Sequence, residues 1–337
     1  VRGGRTRAGR CLVGKGGSDH YWFDSAGDRV EELANEGTDT VHIATTDFVT
    51  PTQQDPDPLL TFSLDTSWGA NVENATAEDN VRRINITGNG LANTLIGNNR
   101  ENTLIGLGGN DRLVIGNGRD TVDGGSGADT LVLDWSGIGD SMEVFNFAKA
   151  SDGTGYTGNI YRTYYGDNSS LNRVDFAGID HFDMTLGSGG DIIRTGDGND
   201  RVIGNAGNDY INTGKGVDVV DGGNEADGAA GIDRWEADKS AATLAMTINL
   251  TASSSSYVIG SLTGSVTRIE ALTLKTGSGN DVITTRSDFL EDVLETSDGN
   301  DTVKIAGGRD NVSMDKGIDT LIINWSAITE NMEIFNL

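Results

Sequence analysis

Cysteine is almost absent from this sequence: a single residue in 337, Cys11, which excludes an internal disulfide framework. Histidine is nearly as scarce, and none of His20, His42 and His181 falls in an HExxH pattern. His20, beside Tyr21 and Trp22, reads as a surface or packing residue. The G-x-S-x-G elbow of serine hydrolases is missing too, because Ser126, Ser188 and Ser278 are out of that phase. Basic residues number 25 against 51 acidic ones, a formal charge of −26, which disfavours nucleic acid and anionic membranes as partners. Among 51 acids an arbitrary carboxylate pair carries no weight as a glycosidase site. No apolar run approaches the roughly 20 residues of a membrane helix, so no transmembrane segment is expected, and no signal peptide heads the chain. The section reads as non-catalytic.

Proline is also rare, at 3, whereas glycine, at 48, has about twice its usual share. Such a composition could belong to a disordered low-complexity chain, but those chains lack strict spacing. Here the spacing is strict. Five nonapeptides run from Gly88 to Val132: GNGLANTLI, GNNRENTLI, GLGGNDRLV, IGNGRDTVD and GGSGADTLV. The phase returns at LGSGGDIIR (186–194) and continues through TGDGNDRVI, GNAGNDYIN and TGKGVDVVD to Asp221, then weakens where extra residues precede Gly231-Ile232-Asp233. A third array opens with TGSGNDVIT (276–284), degenerates through RSDFLEDVLE, and recovers as TSDGNDTVK, IAGGRDNVS and MDKGIDTLI. A larger repeat encloses the arrays: DTLVLDWSGIGDSMEVFNF (129–147) returns as DTLIINWSAITENMEIFNL (319–337), with 10 of 19 positions identical. The chain begins without methionine and ends inside an element seen complete earlier, so it reads as one section of something longer.

In each nonapeptide the glycine-rich first six residues suit a turn and the last three a short strand. Side chains alternate along a strand, so position eight points to one face and positions seven and nine to the other. Leu113, Val122, Leu131, Val202, Ile211, Val220, Val303, Val312 and Leu321 should therefore line an interior, with Arg112, Thr121, Thr130 and Arg201 in water. Two nonapeptides make a coil of 18 residues, which stacks position-six carboxylates at i and i+18 about 4.8 Å apart. Unneutralised, they repel, and a cation must intervene. The donors are carboxylates and carbonyls without His or Cys, which selects calcium over zinc or copper, and over the more tightly octahedral magnesium.

This pattern resembles the RTX family, the haemolysin-type calcium-binding nonapeptide repeats. GKGGSDHYWFDSAGDRVEELANEGTDTVHI near the start, and NVEN before the first array, are similar to the same family. The resemblance implies an all-β fold of parallel β-roll blocks, a β-solenoid, joined by irregular or antiparallel β capping segments. It also implies several Ca²⁺ ions, held between stacked turns by backbone carbonyls and position-six aspartates. Carried onto this sequence, the ligands are Asp111, Asp120 and Asp129; Asp191, Asp200, Asp209 and Asp218; and Asp281, Asp301, Asp310 and Asp319. Turn glycines Gly106, Gly108, Gly124, Gly204 and Gly207 accompany them. The i+18 pairs are Asp111/Asp129, Asp191/Asp209, Asp200/Asp218 and Asp301/Asp319, with Asn102/Asp120 weaker because Asn93 and Asn102 replace aspartate. Asp209 has Asp227 as a weaker partner on its far side, Asp129 ends its array, and Asp292, in a unit without glycines, is expected to bind nothing.

The expected organisation is a degenerate leading segment (1–87), array one (88–132), a capping segment (133–185), array two (186–235), an intervening segment (236–275), array three (276–322) and the start of another cap (323–337). The basic residues 1–13 have no assigned role. Trp135, Trp235 and Trp325 follow array ends and read as caps over the open coil, with sugar stacking as the alternative. The Tyr-rich stretch within 148–177 could be a binding surface. Three functions remain: a secreted structural or adhesin-type module, an appendage of a larger hydrolase, protease or epimerase, or a carbohydrate-binding module. The partners are then calcium and a cell-surface glycan or protein. The resemblance implies export from a bacterium by type I secretion to the cell surface or beyond.

Overall fold

The computed structural model describes residues 9–44, 59–79, 81–151, 153–163, 172–223, 231–251, 254–259, 261–287, 290–324 and 326. Regular structure among the described residues is β-strand throughout. The last three residues of each nonapeptide form the strands, where Thr, Val, Ile and Leu suit a pleated, half-buried surface. The chain divides into two units, Val1–Ser188 and Gly189–Leu337.

In the first unit, strands His20–Phe23, Thr40–Ile43, Asn74–Ala77, Thr94–Ile96, Arg112–Ile115, Thr130–Asp134 and His181–Thr185 stack in parallel as one sheet. The other sheet stacks Leu60–Ser63, Ile84–Thr87, Asn102–Ile105, Arg119–Asp123 and Arg173–Ile179, also in parallel. The chain alternates between the two sheets within the array, so each coil contributes one strand to each. Inside the array the register advances by 18: Leu113 lies opposite Leu131 and Val122 opposite Leu104. The row Val41, Ala75, Leu95, Leu113, Leu131 and Phe182 is buried against the row Ile86, Leu104, Val122 and Phe176. The segment between the arrays is antiparallel, as Ser141–Lys149 pairs with Tyr156–Thr163, which pairs back onto Arg173–Ile179.

The second unit repeats the plan. Parallel pairing runs through Ile192–Arg194, Tyr210–Gly214, Arg234–Asp238, Ala271–Lys275, Val293–Thr296 and Asn311–Met314. Arg201–Ile203, Val219–Asp221 and Leu262–Thr267 form a second sheet edged by antiparallel Ser254–Ile259. Thr247–Asn249, Val282–Ser287, Thr302–Ala306 and Thr320–Ile323 form a third.

Seven of the nine expected interior residues are buried, from Leu113 to Val303. Val312 is half-buried and Leu321 exposed. Both belong to the last described coil, which has a described neighbour on one side only. Trp135 is buried, its Nε1 donating to the Gly116 carbonyl at 3.1 Å, which fits a cap and leaves no face for a sugar. Trp235 is buried for a different reason: it lies opposite Ile211 and Leu272 and so fills the interior row itself. Trp325 and Asp227, along with 164–171 of the Tyr-rich stretch, lie outside the described residues.

Candidate metal centre

Each array turn is built so that carboxylates and carbonyls, and nothing larger, meet between coils. At position four, Gly127 has φ of 140°, where an L side chain is strained, and a methyl there would strike the Gly109 carbonyl of the coil below. Gly207, with φ of 131°, meets the Gly189 carbonyl in the same way. At position one, a methyl on Gly106 would fill the space between Asp111 Oδ2 and the Gly124 carbonyl, and one on Gly204 the space between Asp209 Oδ2 and the Gly222 carbonyl. A methyl on Gly124 would likewise lie 2.7 Å from Asp129 Oδ2. Gly108 sits in the turn arm, bridged to Ser126 of the next coil.

Position six forms a ladder. The Asp111 N–H donates to Asp129 Oδ1 at 2.7 Å, Asp191 to Asp209 at 2.8 Å, Asp200 to Asp218 at 3.0 Å and Asp301 to Asp319 at 3.0 Å. Asn102 does the same to Asp120 at 2.8 Å. All five of the expected pairs are therefore brought together. One oxygen is used in this way, and the second is left over: Oδ2 of Asp111, Asp120, Asp129, Asp281 and Asp301 is buried with no hydrogen-bonding partner. Burial with neighbouring acids makes ionisation costly. Burial and Asp129 push the Asp111 carboxyl up to about 6 despite the N–H bond from Asn93. Burial, then Asp180 and Asp123, push Asp129 to about 6, and burial with Glu101 pushes Asp120 to about 8. Buried oxygen atoms that lack a donor, facing carbonyls across a gap kept open by glycine, fit a hard divalent cation.

The ladder also recruits residues outside the nonapeptides. Asp129 is not its end, because its N–H donates onward to Asp180 at 3.1 Å. Asp209 passes to Asp233 at 2.9 Å across 24 residues instead of 18, so Asp233 takes the rung expected of Asp227. Asp233 in turn donates to Glu270 at 3.0 Å. Asp281 pairs with Asp301 across 20 residues. Asp292 is a full member, accepting from Leu272 at 2.7 Å and donating to Asp310 at 3.1 Å, although its unit lacks glycines. The signal for Asp180, Asp233, Glu270 and Asp292 is an acid two residues before a buried apolar one (Phe182, Trp235, Leu272, Leu294); Asp180 and Asp233 also keep the position-four glycine, Gly178 and Gly231, whereas Glu270 and Asp292 have none.

The ladder is neutralised from within at the head of the first array and at the far end of the second. In the first coil Asn93 Oδ1 accepts from the Asn89 N–H at 2.7 Å, while its Nδ2 donates to the Glu73 carbonyl at 2.9 Å and to Asn89 Oδ1 at 3.1 Å. Asn98 and Asn102 repeat this pairing on the other sheet. The amides thus satisfy one another where later coils carry charge. At the far end of the second array, Lys239 Nζ lies 2.5 Å from Asp218 Oδ2 and 3.1 Å from the Gly214 carbonyl, with both side chains fully buried. The Asp218 N–H continues to the Tyr257 hydroxyl at 2.8 Å instead of to another acid. Burial lowers the Lys239 ammonium and raises the Asp218 carboxyl, each opposed by the attraction of the other.

His20 and His42 meet at 2.9 Å, His42 also reaches Glu78 at 3.0 Å, and Trp22 stacks on His42 on an exposed sheet face. Among the described residues no helix is long and apolar enough to cross a membrane.

The family model for the RTX calcium-binding nonapeptide repeat, a unit of four copies, matches residues 87–122, 116–135, 185–220, 195–229 and 290–321. No curated protein matches the chain. The matched spans take in the first two arrays and the third from the degenerate unit around Asp292 onward, while the unit around Asp281 lies outside them. Parallel coils of two nonapeptides, carboxylates stacked between them and the match to the repeat lead to one conclusion: the chain carries RTX calcium-binding nonapeptide repeats, with several Ca²⁺ sites.

Proposed function

We propose that this chain is a secreted, non-catalytic section whose coils fold when they meet calcium outside the cell, serving as a structural or adhesin-type element. The ions are held by Asp111, Asp120 and Asp129 in the first array, by Asp191, Asp200 and Asp209 in the second, and by Asp281, Asp301, Asp310 and Asp319 in the third. Turn carbonyls such as those of Gly124 and Gly222 complete the sites. What carries the reading is the row of buried Oδ2 atoms on Asp111, Asp120, Asp129, Asp281 and Asp301, each without a hydrogen-bonding partner. A chain of charge −26 that must bury such carboxylates lacks a favourable folded state until cations arrive, and binding then becomes folding free energy. Cytosolic calcium is too low to fill sites of the extracellular class, whose dissociation constants are on the order of 10⁻⁴–10⁻³ M, so the chain stays unfolded until exported. Calcium titration followed by circular dichroism and small-angle scattering tests this. β-signal and compaction should appear at millimolar Ca²⁺, vanish with chelator, and respond far less to Mg²⁺. A metal-free chain with the spectrum and radius of the calcium form would overturn the reading.

A further inference from the structure

Near the start of the first unit, ligand oxygens of Asp19, Glu32 and Asp39 lie within 4.8 Å of one another. This stretch precedes the residues matched by the repeat family, which begin at 87. Asp19 and Asp39 are ladder acids, the Asp19 N–H donating to Asp39 Oδ1 at 2.8 Å across a coil of 20 residues. Glu32 comes from the return limb of that coil, just after strand Arg29–Glu31.

Glu32 is 7% exposed, which is unusual for a glutamate. The hydroxyl of Tyr21 donates to its Oε1, and Tyr21 is itself the buried position-eight residue of GKGGSDHYW. Its Oε2 is buried with no hydrogen-bonding partner. A methyl on Gly14, the position-one glycine of this unit, would collide with Glu32 Oε1 and the Tyr21 hydroxyl. In the array turns that space holds an oxygen of the nonapeptide's own aspartate. Here a glutamate from another limb is steered into it, which adds a third carboxylate to a stacked pair. Among the described residues Arg10 is engaged by Asp24 and Asp28, and Lys15 meets Asp19 through its backbone N–H and not its ammonium.

We propose that Asp19, Glu32 and Asp39 form a further calcium site, separate from the arrays, which closes the leading coil. Three hard oxygen donors with no nitrogen or sulfur among them suit Ca²⁺, which takes 6–8 oxygens and tolerates irregular geometry. Calcium affinity rises with the number of charged ligands and the rigidity of the site. Three converging carboxylates, one of them fixed by a buried phenol, therefore fill before array turns that offer one or two. The leading coil is set first as calcium rises, and the arrays follow.

Hydrogen exchange of the full chain over a range of free calcium reads this directly. Strand Thr40–Ile43 should become protected at about tenfold lower calcium than Arg112–Ile115. Glu32→Gln should raise the first midpoint at least tenfold and leave the second unmoved, whereas Glu143→Gln, on the antiparallel strand Ser141–Lys149, should change neither. An unmoved Thr40–Ile43 midpoint in Glu32→Gln overturns the proposal. Should that variant fail to order its leading coil, wild-type crystals grown in calcium decide. An anomalous scattering peak among the three carboxylates supports the site; peaks at the array turns with none here overturn it. Peaks at neither place would instead overturn the array assignment.

Discussion

Replacing Lys239 by methionine removes a positive charge and keeps most of the side-chain volume. In the wild type the ammonium lies 2.5 Å from Asp218 Oδ2, and both side chains are fully buried. It also rests 5.7 Å from the Trp235 ring and 6.0 Å from that of Tyr257. Removing one member of a buried pair leaves the other charge uncompensated, which costs about 3–5 kcal/mol. The apolar stem of methionine still packs against Trp235, so little of that loss is cavity. The position taken by the ammonium, between a position-six carboxylate and a turn carbonyl, is the one proposed above for calcium in other turns. Calcium can therefore replace the lost charge. At a free concentration 100 times the dissociation constant of the new site, binding returns about 2.7 kcal/mol. Urea unfolding of the variant, followed by tryptophan emission at several calcium concentrations, measures both quantities. We expect a deficit of about 3–5 kcal/mol at the lowest calcium that keeps the chain folded, shrinking by more than half as calcium rises, with one more bound ion than wild type. A loss below about 1 kcal/mol, as for a surface pair, refutes the argument from burial. A loss that calcium does not relieve refutes the equivalence of lysine and ion.

Three further outcomes are expected. Trp135→Ala should cost about 3–5 kcal/mol, because the ring is 1% exposed, and an unchanged unfolding midpoint would remove it from the core. In chelator, the raised carboxyls of Asp111 and Asp129 (about 6) and Asp120 (about 8) mean that the folded chain binds protons more tightly than the unfolded one, whose carboxyls titrate near 3.8. Their stabilising contribution is present below about pH 4 and lost as pH rises through 6 to 8, so metal-free protein should gain β-signal from pH 8 to 5. A flat dichroism profile over that range would count against it. Asp209→Ala, which breaks the ladder between Asp191 and Asp233, and Asp129→Ala, between Asp111 and Asp180, should each remove more than one ion by calorimetry and leave the other unit's ions in place.

The nine-residue period made the coil, the interior row and the paired carboxylates legible, because a glycine-fenced aspartate leaves its mark at fixed spacing. Asp233 is harder to see, since the rung returns after 24 residues instead of 18 and only Gly231 and the two-residue step to Trp235 persist. Asp180 and Glu270 return after 51 and 37 residues, in register but far outside the nine-residue phase, Asp180 with the single glycine Gly178 before it and Glu270 with none. Spacing along a chain reports stacking only while the coils keep one length. Lys239 carries no motif at all: its partnership with Asp218 is set by how the segment after the array folds back. Asn102 was read as a weakened aspartate, whereas its amide is engaged by Asn98. The substitution exchanges a charge for a closed pair of amides.

That closed pair bears on how the array behaves under load. The coil bounded by Asn93 and Asn102 holds its turns together with amides, and the coil ending at Asp218 with an ammonium, so neither needs to recruit an ion to stay shut. Calcium withdrawal then loosens the interior turns of the first array before its leading coil. Each coil of 18 residues that opens releases a tether of roughly 60 Å, where the stacked coil had occupied about 4.8 Å. A molecule joined at its two ends by such a section would have its reach set by the calcium around it, lengthening in steps as the concentration falls and shortening again when it recovers.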